Sequence, residues 1–138
     1  MYKKALTAIE NSTAFKQLNI ETYSLSRNSI SFNNQAYAFW LDDSSLPLGD
    51  TDFENYFGEL YTPIEIKSFA ALSPKRRAKF ILFVTETNDN LFVIEVLLLK
   101  RKRRAKYPKF YQGVSYSFLF KKEGNDIRLL RSLRVENN

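Results

Sequence analysis

Residues 80–99, "FILFVTETNDNLFVIEVLLL", set the strongest limit on what this chain can fold into. Phe80–Glu86 and Leu91–Leu99 are β-branched and aromatic runs, and "TNDN" between them supplies Asn and Asp, which tolerate positive φ. The spacing predicts a β-hairpin. Apolar residues fill both alternating sets of positions, so both faces must be covered and the hairpin should lie centrally in a sheet.

The flanking segments follow from that core. In "GVSYSFLF", Val114, Tyr116, Phe118 and Phe120 fall on one face and Ser115 and Ser117 on the other, which predicts a strand with one wet face. "KKEGND" turns the chain back. In "DIRLLRSLRVENN", Ile127, Leu130 and Leu133 fit a helix capped by Asp126, but the segment's place after three strands favours a closing strand, the preferred reading. On the N-terminal side, Ala5, Leu6, Ala8 and Ile9 give residues 1–18 a helical apolar face, resumed by Phe15 and Leu18 after "NST", where Ser12 or Thr13 could cap a second short helix. "SISFNNQAYAFWL" alternates on both sides of an Asn-Asn-Gln turn and reads as a second hairpin. "DDSSLPLGD" reads as a loop, Thr51 with Glu54 as a capping box opening a short helix that ends before Pro63, and "IEIKSF" as a strand.

No repeat or linker divides the 138 residues, a length that buries roughly two thirds of the unfolded surface in one core. The expectation is a single α+β domain, residues 1–138. Its N-terminal helix packs on a curved, mostly antiparallel, cone-like sheet.

Absent residue types narrow the chemistry. The chain has no histidine and no cysteine, which removes the usual zinc ligands, the Ser-His and Cys-His pairs and the commonest neutral-pH base. "DTDFE" lacks the glycine and distal glutamate of a calcium loop and reads as capping and solvation. Glu95, inside an apolar strand, is a conceivable general base, though an edge position or a neighbouring arginine explains it more simply. Neither a phosphate-binding glycine loop nor a nucleophile elbow is present. The expectation is therefore a non-enzyme with no cofactor and no metal. "MYKKALTAIENSTAF" has no apolar stretch typical of a secretory signal, and charged and amide residues interrupt 80–99, so no membrane-spanning helix is expected. The reading is a soluble, cytoplasmic protein, with organellar and extracytoplasmic sites left open.

Charge is divided along the chain. Residues 1–70 carry five Lys or Arg against nine Asp or Glu, and residues 71–138 carry sixteen against six. With the turn centred near Asn88 and Asp89, antiparallel pairing sets Lys79 opposite about Leu98 and Arg77 opposite about Lys100. "PKRRAK" and "KRKRRAK" then share the open end of the hairpin. Lys75, Arg76, Arg77 and Lys79 should converge there with Lys100, Arg101, Lys102, Arg103, Arg104, Lys106 and Lys109, beside the aromatic Tyr107. Long cations also solvate strand ends and block edge-to-edge aggregation. As a binding surface the patch suits nucleic acid, RNA first, through counterion release and base stacking. The alternative is a complex subunit contacting an acidic protein or an anionic membrane surface. The acidic 42–65 stretch meeting the patch would give self-association.

The order helix, hairpin, short helix and long antiparallel strands, with "FVIEVLLL", "GVSYSFLFKKEGND" and "IRLLRSLRV" closing the sheet, resembles the nuclear transport factor 2-like (cystatin-like) superfamily. The resemblance implies a curved sheet around the N-terminal helix, sometimes enclosing a pocket. It also implies a role among members that include isomerases and dehydratases as well as non-catalytic subunits of secretion, import and ribosomal assemblies. A small-molecule binder or enzyme using a cone-shaped pocket is thus a further alternative. With no histidine and no motif to carry over an acid or base, the resemblance favours the binding members. On a cone, Trp40, Phe39, Phe83, Phe118 and Tyr116 would fill the mouth as core.

Overall fold

A computed structural model describes residues 2–13, 16, 23–56, 64–65, 78–103 and 113–137. In chain order these form α1 (Tyr2–Glu10), β1 (Ser24–Ile30), α2 (Phe32–Asp42), a single 3-10 turn (Phe53–Asn55), β2 (Ile64–Glu65), β3 (Ala78–Thr85), β4 (Leu91–Arg103), β5 (Gly113–Glu123) and β6 (Asp126–Asn137). The described strands make one sheet in the order β2-β1-β3-β4-β5-β6. The chain is α+β. Strands β3 to β6 run antiparallel to their neighbours, whereas β1 joins β3 in parallel, as a strand can when a long connection carries the chain back.

Alternation along β4 sorts the core into two layers. Phe92, Ile94 and Val96 share a buried cluster with Ala5 and Ile9 of α1, Leu82 and Val84 of β3, and Phe118 and Phe120 of β5. Phe92 and Phe120 stand directly opposite with ring centroids 5.3 Å apart, a cross-strand aromatic pair. Leu91 and Val93 point the other way, into a cluster with Phe32, Ala36 and Phe39 of α2 and Leu119 of β5. The two helices therefore contribute to opposite faces of the sheet, which is why the hairpin is apolar on both sides. Tyr23 ties α1 to the start of β1: its hydroxyl donates to Glu10 Oε1 at 2.6 Å, and burial, with that carboxylate second, pushes its pKa up.

Residues 24–42 depart from the expected hairpin. The chain makes strand β1, then helix α2. Phe32, Ala36 and Phe39 are fully buried at the i, i+4, i+7 spacing of a helix face, and Ser31 caps the helix by accepting the Asn34 N–H. The apparent alternation of Tyr37, Phe39 and Leu41 is compatible with a strand, but in the helix it leaves Leu41 63% exposed. A second N-terminal contact comes from the β3–β4 connection, where Glu86 Oε1 accepts the Phe32 N–H at 3.1 Å. The expected Thr51–Glu54 capping box does not form. Thr51 Oγ1 donates instead to Asn33 Oδ1, and among the described residues a 3-10 turn follows.

The C-terminal segment is strand, paired with β5 from Glu123↔Asp126 to Gly113↔Asn137. The expected wet face of β5 is not wet: Ser115 and Ser117 are 3% and 2% exposed. A strand read alone reports side-chain polarity, whereas the covering layer decides burial. The five aromatics expected at one mouth are spread over the layers. Tyr116 and Phe118 lie in the α1 cluster, Phe39 and Trp40 in the α2 cluster, and Phe83 in a third with Ile30, Ile81 and Leu97. No described helix is long and apolar enough to cross a membrane.

Candidate functional site

The open end of the β3–β4 hairpin takes its shape from the closed end. Asp89 and Asn90 adopt φ of 51° and 63°, the left-handed pair of a two-residue hairpin turn matched to strand twist. Asn88 and Leu91 exchange backbone hydrogen bonds of 2.8 and 2.9 Å around them. The turn is centred one residue later than expected. From Asn88↔Leu91 to Val84↔Ile94 the chain takes four steps along the β3 side and three along β4, and Thr85 Oγ1 fills the irregularity by accepting the Val93 N–H at 2.9 Å. Phe80 rather than Lys79 thus faces Leu98.

A larger irregularity follows. After Phe80↔Leu98 the next pair is Ala78↔Arg103, so two steps on β3 answer five on β4. Leu99 to Lys102 crowd into the space across from Lys79. Lys79, Lys100 and Arg101 are exposed there, and Lys102 and Arg103 complete the strand beside them. Five of the twelve expected site residues therefore gather at one end of the central hairpin. Lys75, Arg76, Arg77, Arg104, Lys106, Tyr107 and Lys109 lie outside the described residues. No acid occurs in the sequence from Val96 to Lys122. Among the described residues no ion pair engages Lys79, Lys100 or Arg101.

The arginines of β6 are partnered. Arg128 meets Glu123 at 2.7 Å, Arg134 meets Glu136 at 2.6 Å, and Arg131 reaches Asp42 at 3.3 Å and Asp43 at 2.7 Å, linking β6 to the end of α2. Asp43 also accepts from the Ser45 hydroxyl and N–H. The Ser45 hydroxyl, then Arg131, brings its pKa down to about 2. The carboxylate of Glu136 and the hydroxyl of Tyr116 hold Arg134 further above its ordinary value.

Glu95 is not at an edge. It sits in β4 between Phe83 and Ser117, is 4% exposed, and shares its sheet face with Ser115 and Ser117. A carboxylate so placed is tolerated only when its oxygens are satisfied, and every buried side-chain polar atom among the described residues has a partner. Among those residues no group of three acidic or other metal-ligating side chains converges.

Sequence reasoning overlooked a groove between α1 and β6 lined by Lys3, Lys4, Thr7, Asn11, Ile127 and Leu129. Lys3 and Lys4 at the start of an amphipathic helix were its available signal. No family model matches the chain, and no curated protein or solved structure matches it either.

Proposed function

We propose that this chain is a non-catalytic binding component whose hairpin end, from Lys79 across to Lys100–Arg103, contacts a polyanion, with single-stranded RNA the first choice. The supporting observation is the contrast between the β6 arginines, each paired with a carboxylate, and the exposed Lys79, Lys100 and Arg101, for which no ion pair occurs among the described residues. Closely spaced like charges repel one another at a cost that an anionic partner relieves. Phosphates do so with release of condensed counterions, so affinity falls steeply with salt.

Anisotropy of a labelled single-stranded RNA across a salt series tests the proposal. Each phosphate contact should contribute about −0.7 to the slope of log affinity against log salt. Reversing Arg101, Arg103 and Arg104 to Glu should remove binding while the domain stays folded. Unchanged affinity in that variant reduces the patch to solvation. No RNA binding at low salt moves the proposal to its alternative, an acidic protein or anionic membrane surface.

The second reading, a small-molecule site in a cone as the superfamily resemblance implies, is favoured by one observation, the carboxylate of Glu95 beside Ser115 and Ser117. Glu95 alternates with Phe92, Ile94 and Val96, which face α1, so such a site would lie on the α2 side of the sheet and not on the side that the resemblance gives to the N-terminal helix. A ligand that stabilises the wild type but not Glu95→Gln would support it.

A further inference from the structure

We propose that the groove between α1 and β6 docks an extended acidic peptide, which adds to the sheet beside the first residues of β6. The proposal is independent of the hairpin patch. Strand β6 ends the sheet, with β5 its neighbour on one side and no described strand on the other. An edge strand presents a row of backbone donors and acceptors, the template on which extended peptides are captured. At Leu130 the strand bulges, since Phe120 pairs with Leu129 and Leu119 with Arg131. The straight part beside the groove is therefore Asp126–Leu129.

The groove is open to solvent and offers about 660 Å³. Ala8, Ile127 and Leu129 supply its apolar lining, and Leu129 is 39% exposed, one of two large hydrophobic residues so placed among those described. Lys3, Lys4, Thr7, Asn11 and Asp126 supply its polar lining. Lys4 is engaged: its ammonium donates to the Asn125 carbonyl at 2.5 Å and lies 3.9 Å from Asp126. Lys3 has no ion pair among the described residues.

An added strand turns alternate side chains toward α1. One apolar side chain would then cover Leu129 and a carboxylate would meet Lys3, whereas a lysine at that position would meet the Lys3 ammonium, the charge of Lys4 being already matched by Asp126, which also lines the groove. A second copy fits less well. Its β6 would bring Arg128, Arg131 and Arg134 against the same arginines, and its own bulge would break the register.

The probe is a fluorescein-labelled peptide of alternating Glu and Val, roughly seven residues long, titrated into the full chain. Its Lys-Val counterpart and a version methylated on alternate backbone nitrogens serve as controls. The Glu-Val peptide should bind and protect amides of Asp126–Leu129 from exchange. The Lys-Val peptide should not bind, and methylation should weaken binding by about tenfold or more. Lys3→Glu and Leu129→Asp should each weaken it by about tenfold, with exchange protection of β4 showing that the fold is kept. Equal binding of the Lys-Val peptide, insensitivity to both substitutions, or no binding up to roughly millimolar peptide overturns the proposal. So does loss of peptide binding on reversing Arg101, Arg103 and Arg104, which would place the peptide on the hairpin patch. A concentration-dependent dimer that protects the β6 edge without peptide would assign the groove to a second copy instead.

Discussion

Two parts of one sheet, strands β4 and β6 on either side of β5, carry dense positive charge and treat it differently. On β6 the arginines are three residues apart, at 128, 131 and 134, and each reaches a carboxylate from the β5 strand end, the end of α2 or β6 itself. On β4, Lys100 to Arg103 are contiguous, in a stretch without acids, and a bulge lets them gather opposite Lys79. Spacing is what separates the two. Cations set apart can each be served by an acid from elsewhere in the chain, whereas a contiguous run exceeds what the nearby backbone can supply. The first arrangement serves the fold, and the second is the one proposed to meet a partner.

The largest effect that would break this comparison is on binding. Arg101→Glu/Arg103→Glu/Arg104→Glu should reduce affinity for single-stranded RNA by on the order of 100-fold at low salt and flatten the salt slope by roughly two. Arg131→Ala should leave both unchanged. If the β6 substitution weakened RNA binding as much as the hairpin reversal, the division between structural and available cations would be wrong.

Next in size is the charge that β4 buries. Glu95→Ala should destabilise the domain by about 1–3 kcal/mol, because the groups satisfying the carboxylate lose their acceptor in a covered layer. Urea unfolding measures this. Lys100→Ala, on the same strand but exposed, should change stability by less than about 0.5 kcal/mol. Similar values for the two would show that the Glu95 face is wetter than its 4% exposure indicates.

How far the sequence could reveal this division depended on which property each segment carried. Strands β3 and β4 were legible because their β-branched and aromatic runs satisfy one periodicity, and β6 was read over a competing helix from its place after three strands, while the run of bases from Lys100 to Arg104 is written directly in the residues. Residues 31–41 were not, since Tyr37, Phe39 and Leu41 fit a strand while Phe32, Ala36 and Phe39 fit a helix. The cap at Ser31 and the contact from Glu86, fifty-four residues away, belong to the helix that forms. Ser115 and Ser117 were misread for a related reason, because their burial comes from other parts of the chain. The bulge that gathers the cations arises from register, which no local pattern displayed.

Closed and open ends of the hairpin can also be separated. Glu86→Ala removes the carboxylate that accepts the Phe32 N–H and should cost about 1 kcal/mol, the usual scale for loss of an acceptor at a helix start. Its thermal unfolding should shift downward while RNA binding at the other end of the strands is retained.

The smallest effect is the most specific to β6. Asp43 has its pKa depressed to about 2, first by the Ser45 hydroxyl and then by Arg131. A carboxylate whose pKa is lower in the folded chain contributes stability above its unfolded value near 3.8, and that contribution is lost as pH falls through about 2. Acid unfolding of the wild type should therefore show a component between about pH 4 and 2 that is missing in Asp43→Asn. Because the pair is at the surface, added salt should diminish that component. Arg131→Ala should reduce it without abolishing it, since the Ser45 contacts remain. If Arg131→Ala removed it entirely, the ion pair rather than the hydroxyl would dominate, and β6 would depend on its charges more than its geometry indicates.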